Sequence, residues 1–540
     1  MKDISSTGSF IDFTLENYIY VDKTVYIPQL VKLKRVFISR PRRFGKSLTL
    51  DTIATLFESG VESYFKGTWI YDKWTEPTYP VLRLNFLDLD KYSLDLFKQK
   101  LNSIITAFAQ DIKLKGYKEK VEPEDTIYFL LDELRKEKRQ IVILIDEYDC
   151  QMTANINNET LYKQFQEKIK SFYATIKNKW PIKFLGITGV TRLKDVEIFS
   201  IGSDIRDITN ASAYSQMIGF TRDEIKKYYI DYLKLAASYE NNCSVEDVTD
   251  VQIESMLDMM AQNYDGYCFD EFYKKKVFST WSVNSFFQSI IENKFVYFDE
   301  YWYDNGGLPS ILVNYLKTHE LNIFEYLDKD KFLKVSTDDF KNPTALTTIN
   351  QNVLMCQTGY LTLRSDLKKS STVLLGIPNG EIYKALNRLL AKNIFKGNSD
   401  VTDDQGKNLL EVGSVDDIIN LFNCALNSVS YDNYPIVSES SVQNMLKLYL
   451  LGAHQEVLSE VHEAKGRADL VVNTDNKRIV FEFKYAKNET EAKSKLSEAV
   501  EQIKSRDYGN ILPKKNELLR IAAVFNADPK VRAFTEYQEV

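Results

Sequence analysis

The first 220 residues alternate between short apolar runs and longer stretches with helical periodicity. The continuous apolar run at 141–145 is typical of a strand buried on both faces, and similar runs predict strands at 35–39, 81–86 and 183–188. Because helical patterns separate these strands, we expect a parallel sheet with crossover helices, and so an α/β fold for residues 1–220. The helices are predicted at 46–58, 93–114, 124–136 and 161–177.

The pattern changes at Thr221, where T-x-x-E ending at Glu224 is typical of a capping box. It begins a mainly helical region over 221–350, and residues 351–437, which give no clear pattern, are assigned to a connector. Residues 438–540 form a separate domain with the order α-β-β-β-α-β. Its helices are predicted at 440–452 and 490–505, and its strands at 456–462, 468–473, 477–485 and 519–526.

Composition narrows the classes of protein that fit. No run approaches the eighteen apolar residues that a membrane span needs, and the first residues give no sign of a secretory signal. The 5 cysteines form no CxxC and do not cluster with the 3 histidines, so we expect reduced thiols, no structural zinc site and a cytoplasmic location. A formal net charge of −7 argues against a general nucleic-acid coat protein, although a local basic groove stays compatible with it.

Residues 40–47, R-P-R-R-F-G-K-S, lie between a predicted strand and a predicted helix, as a phosphate loop does. Lys46 would reach the β- and γ-phosphates of ATP, and the Ser47 hydroxyl would ligate Mg²⁺. The pattern GxxxxGK(S/T) is incomplete, because Arg40 stands where the first glycine belongs, and a bare GKS also occurs by chance. The residues predicted to contact the nucleotide here are Arg42, Arg43, Phe44, Gly45, Lys46, Ser47 and Leu48.

A second acidic motif supports the phosphate loop. The strand at 141–145 ends in Asp146 and Glu147, and the carboxyl ends of strands are where ligands bind in open α/β sheets. Asp146 would hold the Mg²⁺ shell, and Glu147 would polarise the attacking water. After the next strand, Thr188 is placed as a γ-phosphate sensor and Arg192 as a charge-stabilising arginine. A strand-end hydroxyl and a solvated arginine explain these last two residues equally well.

The C-terminal strands carry charged residues whose relative positions follow from one turn. If Asp475-Asn476 is a two-residue hairpin turn, counting back along both strands places Asp469 directly opposite Glu482. Lys484 shares the face of Glu482, because side chains alternate along a strand. Two facing carboxylates repel each other unless a cation lies between them, and Mg²⁺ is the simplest such cation. The alternative is an edge hairpin with a solvated charged face.

Other polar residues extend this candidate site. Glu460 is a possible third metal ligand, with Glu456 and Glu463 as competitors for the same role. Gln502, on the helix that follows, is predicted to contact a phosphate or a water. Lys484 would orient or deprotonate a metal-bound water and stabilise the transition state of phosphodiester cleavage.

Taken together, these motifs resemble the bacterial and archaeal AAA-ATPase-like proteins, a predicted P-loop family with a C-terminal PD-(D/E)XK nuclease-superfamily domain. An arginine in place of the first loop glycine is usual in that family. The resemblance implies a P-loop ATPase fold, a restriction-endonuclease-like C-terminal fold and a nuclease site. The segments that carry it include Tyr20–Thr24, Arg40–Leu48, Asp146–Asp149, Thr188–Val190, Gly219–Thr221, Tyr264–Tyr267, Trp281–Val283, Gln357–Leu361, Gly466–Asp469, Glu482–Lys484 and Gln502–Ile503.

Two functions remain open at this point. In the first, ATP controls a Mg²⁺-dependent nuclease that acts on DNA or, with less support, RNA. In the second, the chain is a regulatory ATP switch whose C-terminal domain binds nucleic acid or protein without cutting. The acidic net charge favours the second hypothesis, and the complete D…ExK set favours the first. A role in defence or mobile-element biology fits either one by fold-level analogy alone, and the oligomeric state is left open.

Overall fold

The computed structural model describes residues 1–193, 204–302, 310–316, 323–343, 345–395, 404–453, 455–463, 465–512, 515 and 517–540. The chain divides into two compact units. The first unit comprises residues 1–319 and 332–382, and the second comprises 320–331 and 383–540. None of the helices in the described ranges is long and apolar enough to cross a membrane.

A parallel sheet forms the centre of the first part of unit 1. Its strands are β1 (Arg35–Ser39), β2 (Val81–Asn85), β3 (Ile141–Asp146), β4 (Ile182–Gly189) and β5 (Arg206–Asp207). They pair in the order β2-β3-β4-β1-β5, and every pair is parallel. The predicted parallel sheet is therefore confirmed. Since β4 lies between β1 and β3, the carboxyl ends of these three strands are neighbours at one edge of the sheet.

Helices connect the strands of this sheet, and the four predicted ones are confirmed to within three residues at each end. Two further short helices precede β1, and another follows β3. Capping explains several of the starts: Ser93 accepts a hydrogen bond from Leu96 N, and Pro123 occupies the first turn of its helix. The helices are α1 (Phe10–Leu15), α2 (Ile27–Leu33), α3 (Lys46–Ser59), α4 (Leu94–Asp111), α5 (Pro123–Lys136), α6 (Cys150–Ala154) and α7 (Glu159–Ile176).

The next region is mainly helical, as predicted. Thr221 and Glu224 form the expected capping box at the start of the first helix. The helices bury a common core that includes Tyr229, Leu257 and Phe286. They are α8 (Arg222–Tyr228), α9 (Ile230–Asn241), α10 (Asp250–Tyr264), α11 (Thr280–Asn293) and α12 (Ser310–Leu316).

A small antiparallel sheet completes unit 1. It consists of β6 (Leu333–Ser336), β7 (Thr362–Leu363) and β8 (Thr372–Gly376) in the order β6-β8-β7. Helices α13 (Thr337–Lys341) and α14 (Gln351–Thr358) lie between β6 and β7 in the chain. This sheet joins residues from both sides of the predicted border at residue 350.

Unit 2 is built on a second sheet of mixed direction. Its strands are β9 (Glu456–Glu463), β10 (Gly466–Asn473), β11 (Lys477–Ala486), β12 (Glu517–Asn526) and β13 (Ala533–Glu539), in the order β13-β12-β11-β10-β9. The pair β11–β12 is parallel and the other pairs are antiparallel. The predicted order α-β-β-β-α-β is present, with β13 as an additional strand after it.

The helices of unit 2 include three from the segment assigned to the connector. Phe422, on one of them, packs against Phe481 of β11 with ring centroids 5.2 Å apart. The core of this sheet therefore begins before the predicted border at residue 438. The helices are α15 (Gly380–Ile394, in unit 2 from residue 383), α16 (Asp404–Val412), α17 (Val415–Asn427), α18 (Glu439–Gly452) and α19 (Glu489–Arg506).

Candidate functional sites

The loop between β1 and α3 has the geometry of a phosphate loop. Gly45 caps α3 with φ of 96°, a backbone conformation that favours glycine. Lys46 begins the helix and is only 4% exposed; its Nζ donates to the Pro41 carbonyl (3.2 Å) and lies 3.5 Å from Glu147 Oε1. The ammonium group is thus held over the loop, where phosphate oxygens would meet the amide groups of the helix N-terminus.

Arg40 stands where the usual motif has glycine, and its side chain explains why an arginine fits. The guanidinium turns into the protein, is 1% exposed and donates to the carbonyls of Ser39 (2.8 Å) and Thr209 (2.7 Å). It also lies over the ring of Phe269 at 4.1 Å. Burial lowers the pKa of Arg40 to about 9. Through these contacts, Arg40 holds the start of the loop against the segment that follows β5.

Asp146, at the end of β3, accepts hydrogen bonds from hydroxyl groups of two neighbouring elements. Ser47 Oγ donates to Asp146 Oδ2 (2.5 Å), and Thr188 Oγ1 donates to Asp146 Oδ1. The three residues predicted to serve Mg²⁺ and the γ-phosphate are therefore within direct contact. Oxygen ligands of this kind suit Mg²⁺ together with nucleotide phosphates.

Glu147 follows Asp146 with a left-handed backbone, φ 51°, which turns its side chain towards Lys46. Its carboxylate is partly exposed, as a residue that positions a water must be. Arg192 forms an ion pair with Asp207 of β5, and its backbone N–H donates to Gln357 Oε1 (3.2 Å). The predicted role of Arg192 towards a phosphate requires this ion pair to open.

Tyr148 and Asp149 form hydrogen bonds with the segment that follows β4. This role was not predicted from the sequence. Asp149 is 1% exposed and accepts hydrogen bonds from Thr191 N (2.7 Å) and Thr191 Oγ1 (2.5 Å). Tyr148 donates to the Thr191 carbonyl (3.1 Å) and accepts from Leu193 N (3.2 Å). The signal in the sequence was the second half of the D-E-Y-D segment, where a tyrosine and an aspartate follow Asp146 and Glu147.

A cavity of about 160 Å³ is lined in part by residues of the phosphate loop. Its lining is mainly apolar, with a few polar groups, which is the usual character of a nucleoside pocket. Arg43 lies over the ring of Trp281 at 4.0 Å, and its Nη1 is buried without a hydrogen-bond partner in the described part of the chain. The lining includes Tyr20, Arg43, Phe44, Gly45, Leu48, Gly219, Trp281 and Asn284.

Two other loop residues predicted to bind nucleotide have structural contacts. Phe44 is 1% exposed and packs edge-on against Tyr267 with centroids 4.7 Å apart. The carbonyl of Arg42 accepts a hydrogen bond from Trp302 Nε1 (3.5 Å). These contacts come from residues more than two hundred positions away in the chain, which no local pattern could reveal.

In unit 2, strands β10 and β11 have the predicted register. Leu470 lies opposite Phe481, and Asp469 and Glu482 are the neighbours of this pair on the two strands. Asp469 Oδ2 accepts a hydrogen bond from Phe483 N (2.8 Å), so its carboxylate reaches across to β11. Asp469 and Glu482 thus lie on adjacent antiparallel strands, and the charge of Asp469 contributes to the raised pKa of Glu482.

The electrostatics of this group are those of crowded, buried charges. Burial raises the pKa of Asp469 to about 6, against the hydrogen bond from Phe483 N. Burial and the neighbouring Asp469 raise the pKa of Glu482 to about 7. Burial acts to lower the pKa of Lys484, but Glu482 and the other carboxylates raise it above its ordinary value. Lys484 is therefore a stable positive charge, which favours transition-state stabilisation over service as a base.

The residues present fit a bound Mg²⁺ ion. Glu482 is fully buried, and its Oε2 has no hydrogen-bond partner within the described residues, whereas Oε1 accepts from Lys484 Nζ (2.8 Å). No group of three or more His, Cys, Asp or Glu side chains with metal-binding placement occurs in the described ranges. A pair of carboxylates suits Mg²⁺, which keeps several waters and takes further oxygens from a phosphate substrate.

The other predicted members of this site have different surroundings. Glu460, opposite Asp469 on β9, has φ of 54° and forms an ion pair with Arg467. Its competitor Glu463 accepts two hydrogen bonds from Gly509 N (both 3.0 Å). Gln502, on α19, donates to the hydroxyl of Tyr508 (3.4 Å). The charge of Glu460 contributes to the raised pKa of Asp469, and the roles of Glu460 and Gln502 at this site stay predictions.

Glu439 is a further carboxylate of the site that sequence reasoning missed. It begins helix α18, and its Oε1 lies 3.5 Å from Lys484 Nζ. Its charge also contributes to the raised pKa values of Asp469 and Glu482. The sequence offered only an acidic residue after Ser438 at a predicted helix start, which is a common capping pattern.

Comparisons with known proteins agree with both halves of this description. Residues 5–199 match the family model described as a predicted AAA-ATPase, and residues 437–534 match that of the PD-(D/E)XK nuclease superfamily. The chain is 25% identical over 532 residues to a protein of Azotobacter chroococcum mcd 1 described as an uncharacterized protein in the vnfD 5′ region, covering 95% of this chain and 94% of that protein.

Among solved structures, Cdc6p from Pyrobaculum aerophilum aligns with 70% of this chain and 95% of its own, at 11% identity. The TM-score of 0.23 is too low to inform either the fold or the function. The two family models, by contrast, coincide with the phosphate loop and with the paired carboxylates. The chain combines a predicted AAA-ATPase domain with a C-terminal domain of the PD-(D/E)XK nuclease superfamily.

Proposed function

We propose that the protein binds and hydrolyses ATP in unit 1 and that ATP controls a Mg²⁺-dependent nuclease site in unit 2, with DNA as the preferred substrate and RNA as the alternative. The observation that carries the proposal is the pairing of Asp469 with Glu482 beside Lys484. Raised pKa values on two neighbouring carboxylates, one of which has a buried oxygen without a partner in the described part of the chain, are typical of a functional site.

The nucleotide half of the proposal is supported by convergence at one sheet edge. Lys46, Ser47, Asp146, Glu147 and Thr188 come from three parts of the chain and meet around the phosphate loop. ATP would place its phosphates at the start of α3 and its nucleoside in the adjoining cavity. The carboxylate of Glu147 would orient the attacking water and take up its proton.

In unit 2, Asp469 and Glu482 would hold Mg²⁺, with Glu439 close enough to add a water-mediated contact. When bound, the ion supplies an activated water and neutralises charge on the scissile phosphate. The ammonium of Lys484, buried and held by Glu482, stabilises the negative charge that develops on the reacting phosphate. Nucleic acid is the substrate class because a phosphodiester is the group that this combination of charges fits.

A second function, a regulatory ATP switch that binds nucleic acid or protein without cutting, is favoured by two observations. The net charge is −7, which weakens attraction for a polyanion. The lysine of the D…ExK set is engaged by both Glu482 and Glu439. Both features are compatible with a nuclease site whose access is controlled.

The proposal is tested by incubating the full chain with linear and circular DNA and with RNA. Each reaction contains Mg²⁺, and is run without nucleotide, with ATP and with a non-hydrolysable ATP analogue. We expect cleavage that requires Mg²⁺ and changes severalfold with nucleotide. Substrate binding without cleavage under all of these conditions would replace the nuclease with the non-cutting switch.

A further inference from the structure

The outer side of the phosphate loop is held by two hydrogen bonds to its carbonyl groups. Thr280 Oγ1, at the start of α11, donates to the carbonyl of Arg43 (2.9 Å). Trp302 Nε1 donates to the carbonyl of Arg42 (3.5 Å). The loop peptides just before Gly45 are therefore fixed by groups that lie outside the nucleotide-binding motif.

One buried carboxylate joins the two elements that hold the loop. Glu381 Oε2 accepts a hydrogen bond from Ser282 Oγ (2.7 Å), two residues after Thr280 on α11. Glu381 Oε1 accepts from Trp302 N (2.8 Å), and the glutamate is only 2% exposed. Burying a carboxylate is costly, so a carboxylate at this position needs a reason beyond packing.

Close packing makes the loop sensitive to the position of Trp302. The indole is fully buried and stands edge-on to the Tyr360 ring, with centroids 5.2 Å apart. Gly359 lies between the indole and the loop, because an added Cβ there would be 2.9 Å from Pro41 and 3.6 Å from Trp302. Since interiors this dense transmit displacement, a shift of Trp302 moves the loop, and a shift of the loop moves Trp302.

Glu381 also lies in the first turn of α15. Asn379 caps this helix by accepting a hydrogen bond from Ile382 N (3.0 Å), and a carboxylate in the first turn is favoured by the helix dipole. From Tyr383 onward the same helix belongs to unit 2. Glu381 is thus close in sequence to one of the points at which the chain passes from unit 1 to unit 2.

We propose that Glu381 is a positioning residue for the nucleotide site, which keeps Thr280 and Trp302 against the phosphate loop and couples the nucleotide state of that loop to helix α15. The inference rests on the proposed nucleotide function. Phosphates bound at the start of α3 draw the loop amides towards them, and the carbonyls of Arg42 and Arg43 move with the same peptides. That displacement is transmitted to Glu381 through its hydrogen bonds with Ser282 and Trp302.

The first test is Glu381→Gln in the full chain. Glutamine preserves the size of the side chain but has a single acceptor oxygen, so one of the two hydrogen bonds, from Ser282 Oγ or from Trp302 N, loses its acceptor. We expect the KM for ATP to rise about tenfold while kcat stays within about twofold, because the groups that perform hydrolysis have no contact with Glu381. Ser282→Ala removes only the hydrogen bond from Ser282 to Glu381, so it should raise KM by a smaller factor.

The second test measures amide hydrogen exchange in residues 380–394 with and without saturating ATP analogue and Mg²⁺. In the wild type, nucleotide should change the exchange of this helix, and in Glu381→Gln that change should be lost although the site is saturated. Asn387→Ala is the matched control, since Asn387 is a buried polar residue of the same helix whose amide donates to the Tyr383 carbonyl (2.7 Å). It should lower thermal stability but keep both the KM and the nucleotide-dependent exchange.

A double-mutant cycle separates positioning from general destabilisation. Thr280→Val and Glu381→Gln act on the same loop contact, so their combined effect on KM should be smaller than the product of the single effects. An unchanged KM in Glu381→Gln, or a nucleotide-dependent exchange change that persists in it, would overturn the inference alone. Failure of the wild type to bind ATP in calorimetry would overturn the nucleotide function and the inference together.

Discussion

Hydroxyl groups from two different elements meet at one carboxylate, Asp146, beside the ammonium of Lys46. At the scale of single residues, this arrangement predicts that Lys46→Ala abolishes tight ATP binding without unfolding the protein. A charged hydrogen bond to phosphate is worth about 1.5–3 kcal/mol, so we expect an affinity loss of about 10- to 100-fold or more. Calorimetric titration with ATP and Mg²⁺ measures it, with the exposed Lys32→Ala as control; unchanged affinity would contradict the phosphate-loop assignment.

Glu147 should behave differently from Lys46, because it serves the attacking water rather than the bound nucleotide. Glu147→Gln keeps the shape of the side chain and removes the base, so ATP affinity should persist while hydrolysis slows by about 10²-fold. Steady-state phosphate release under saturating ATP gives the rate. A rate equal to that of the wild type would leave Glu147 as a partner of Lys46 and nothing more.

Glu381 makes a prediction about pH. Burial raises its pKa from 4.5 to about 8 in the folded protein, with further contributions from the nearby Glu300 and Asp299. The folded state therefore holds this proton more tightly than the unfolded state, and the stability gained at low pH is lost as pH rises from about 4.5 to 8. Glu381→Gln cannot ionise, so its thermal stability relative to that of the wild type should increase as pH rises from about 5 to 8. Parallel melting curves across this range would contradict the assignment of a buried carboxylic acid.

The roles of Glu381 and Trp302 could not be predicted from the sequence. Lys46, Ser47 and Asp146 were predictable because a phosphate loop and a strand-end acid have local patterns. The partners of the loop lie more than two hundred positions away, and their contacts depend on how the helical region packs. Glu439 was missed for the same reason, since it meets Lys484 only after α18 docks on the sheet.

At the scale of secondary-structure elements, the register of β10 and β11 decides whether a metal site exists, because a slip of one residue would send Asp469 and Glu482 to opposite faces. Their repulsion predicts that Asp469→Asn is at least as stable as the wild type in the absence of divalent ions. Mg²⁺ should raise the melting temperature of the wild type but leave this variant unchanged. Melting curves in EDTA and in Mg²⁺ test both statements, and equal Mg²⁺ stabilisation of the two proteins would remove Asp469 from the site.

The hairpin register followed from one turn, since the side-chain period of a strand is fixed at two. The positions of other elements could not be derived from a turn in this way. Strand β5 has only two residues, and β13 reads A-F-T-E-Y-Q-E, whose polar alternation resembles a surface segment. Helix α17 has a clear apolar face, yet its place against the C-terminal sheet was not predictable, because a helical pattern does not specify its partner.

At the scale of the whole molecule, one chain carries a predicted AAA-ATPase domain and a domain of the PD-(D/E)XK nuclease superfamily. The order of the elements was predictable because the period of apolar residues changes at about residue 220 and again before the last hundred residues. The borders of the compact units were not, because residues 320–331 belong with the C-terminal unit although they lie within the first one in sequence. Such an exchange depends on long-range packing that leaves no local signal.

The central claim is that ATP in one unit controls metal-dependent cleavage in the other. The most direct measurement follows ATP hydrolysis and nucleic-acid cleavage side by side in the wild type, Lys46→Ala, Asp469→Ala and Lys484→Ala. We expect Asp469→Ala and Lys484→Ala to lose cleavage and keep ATP hydrolysis within about twofold, because both residues belong to unit 2 whereas the phosphate loop belongs to unit 1. Lys46→Ala should lose ATP hydrolysis together with the nucleotide dependence of cleavage. Cleavage that persists in both Asp469→Ala and Lys484→Ala, or that responds to ATP in Lys46→Ala as it does in the wild type, would contradict the account.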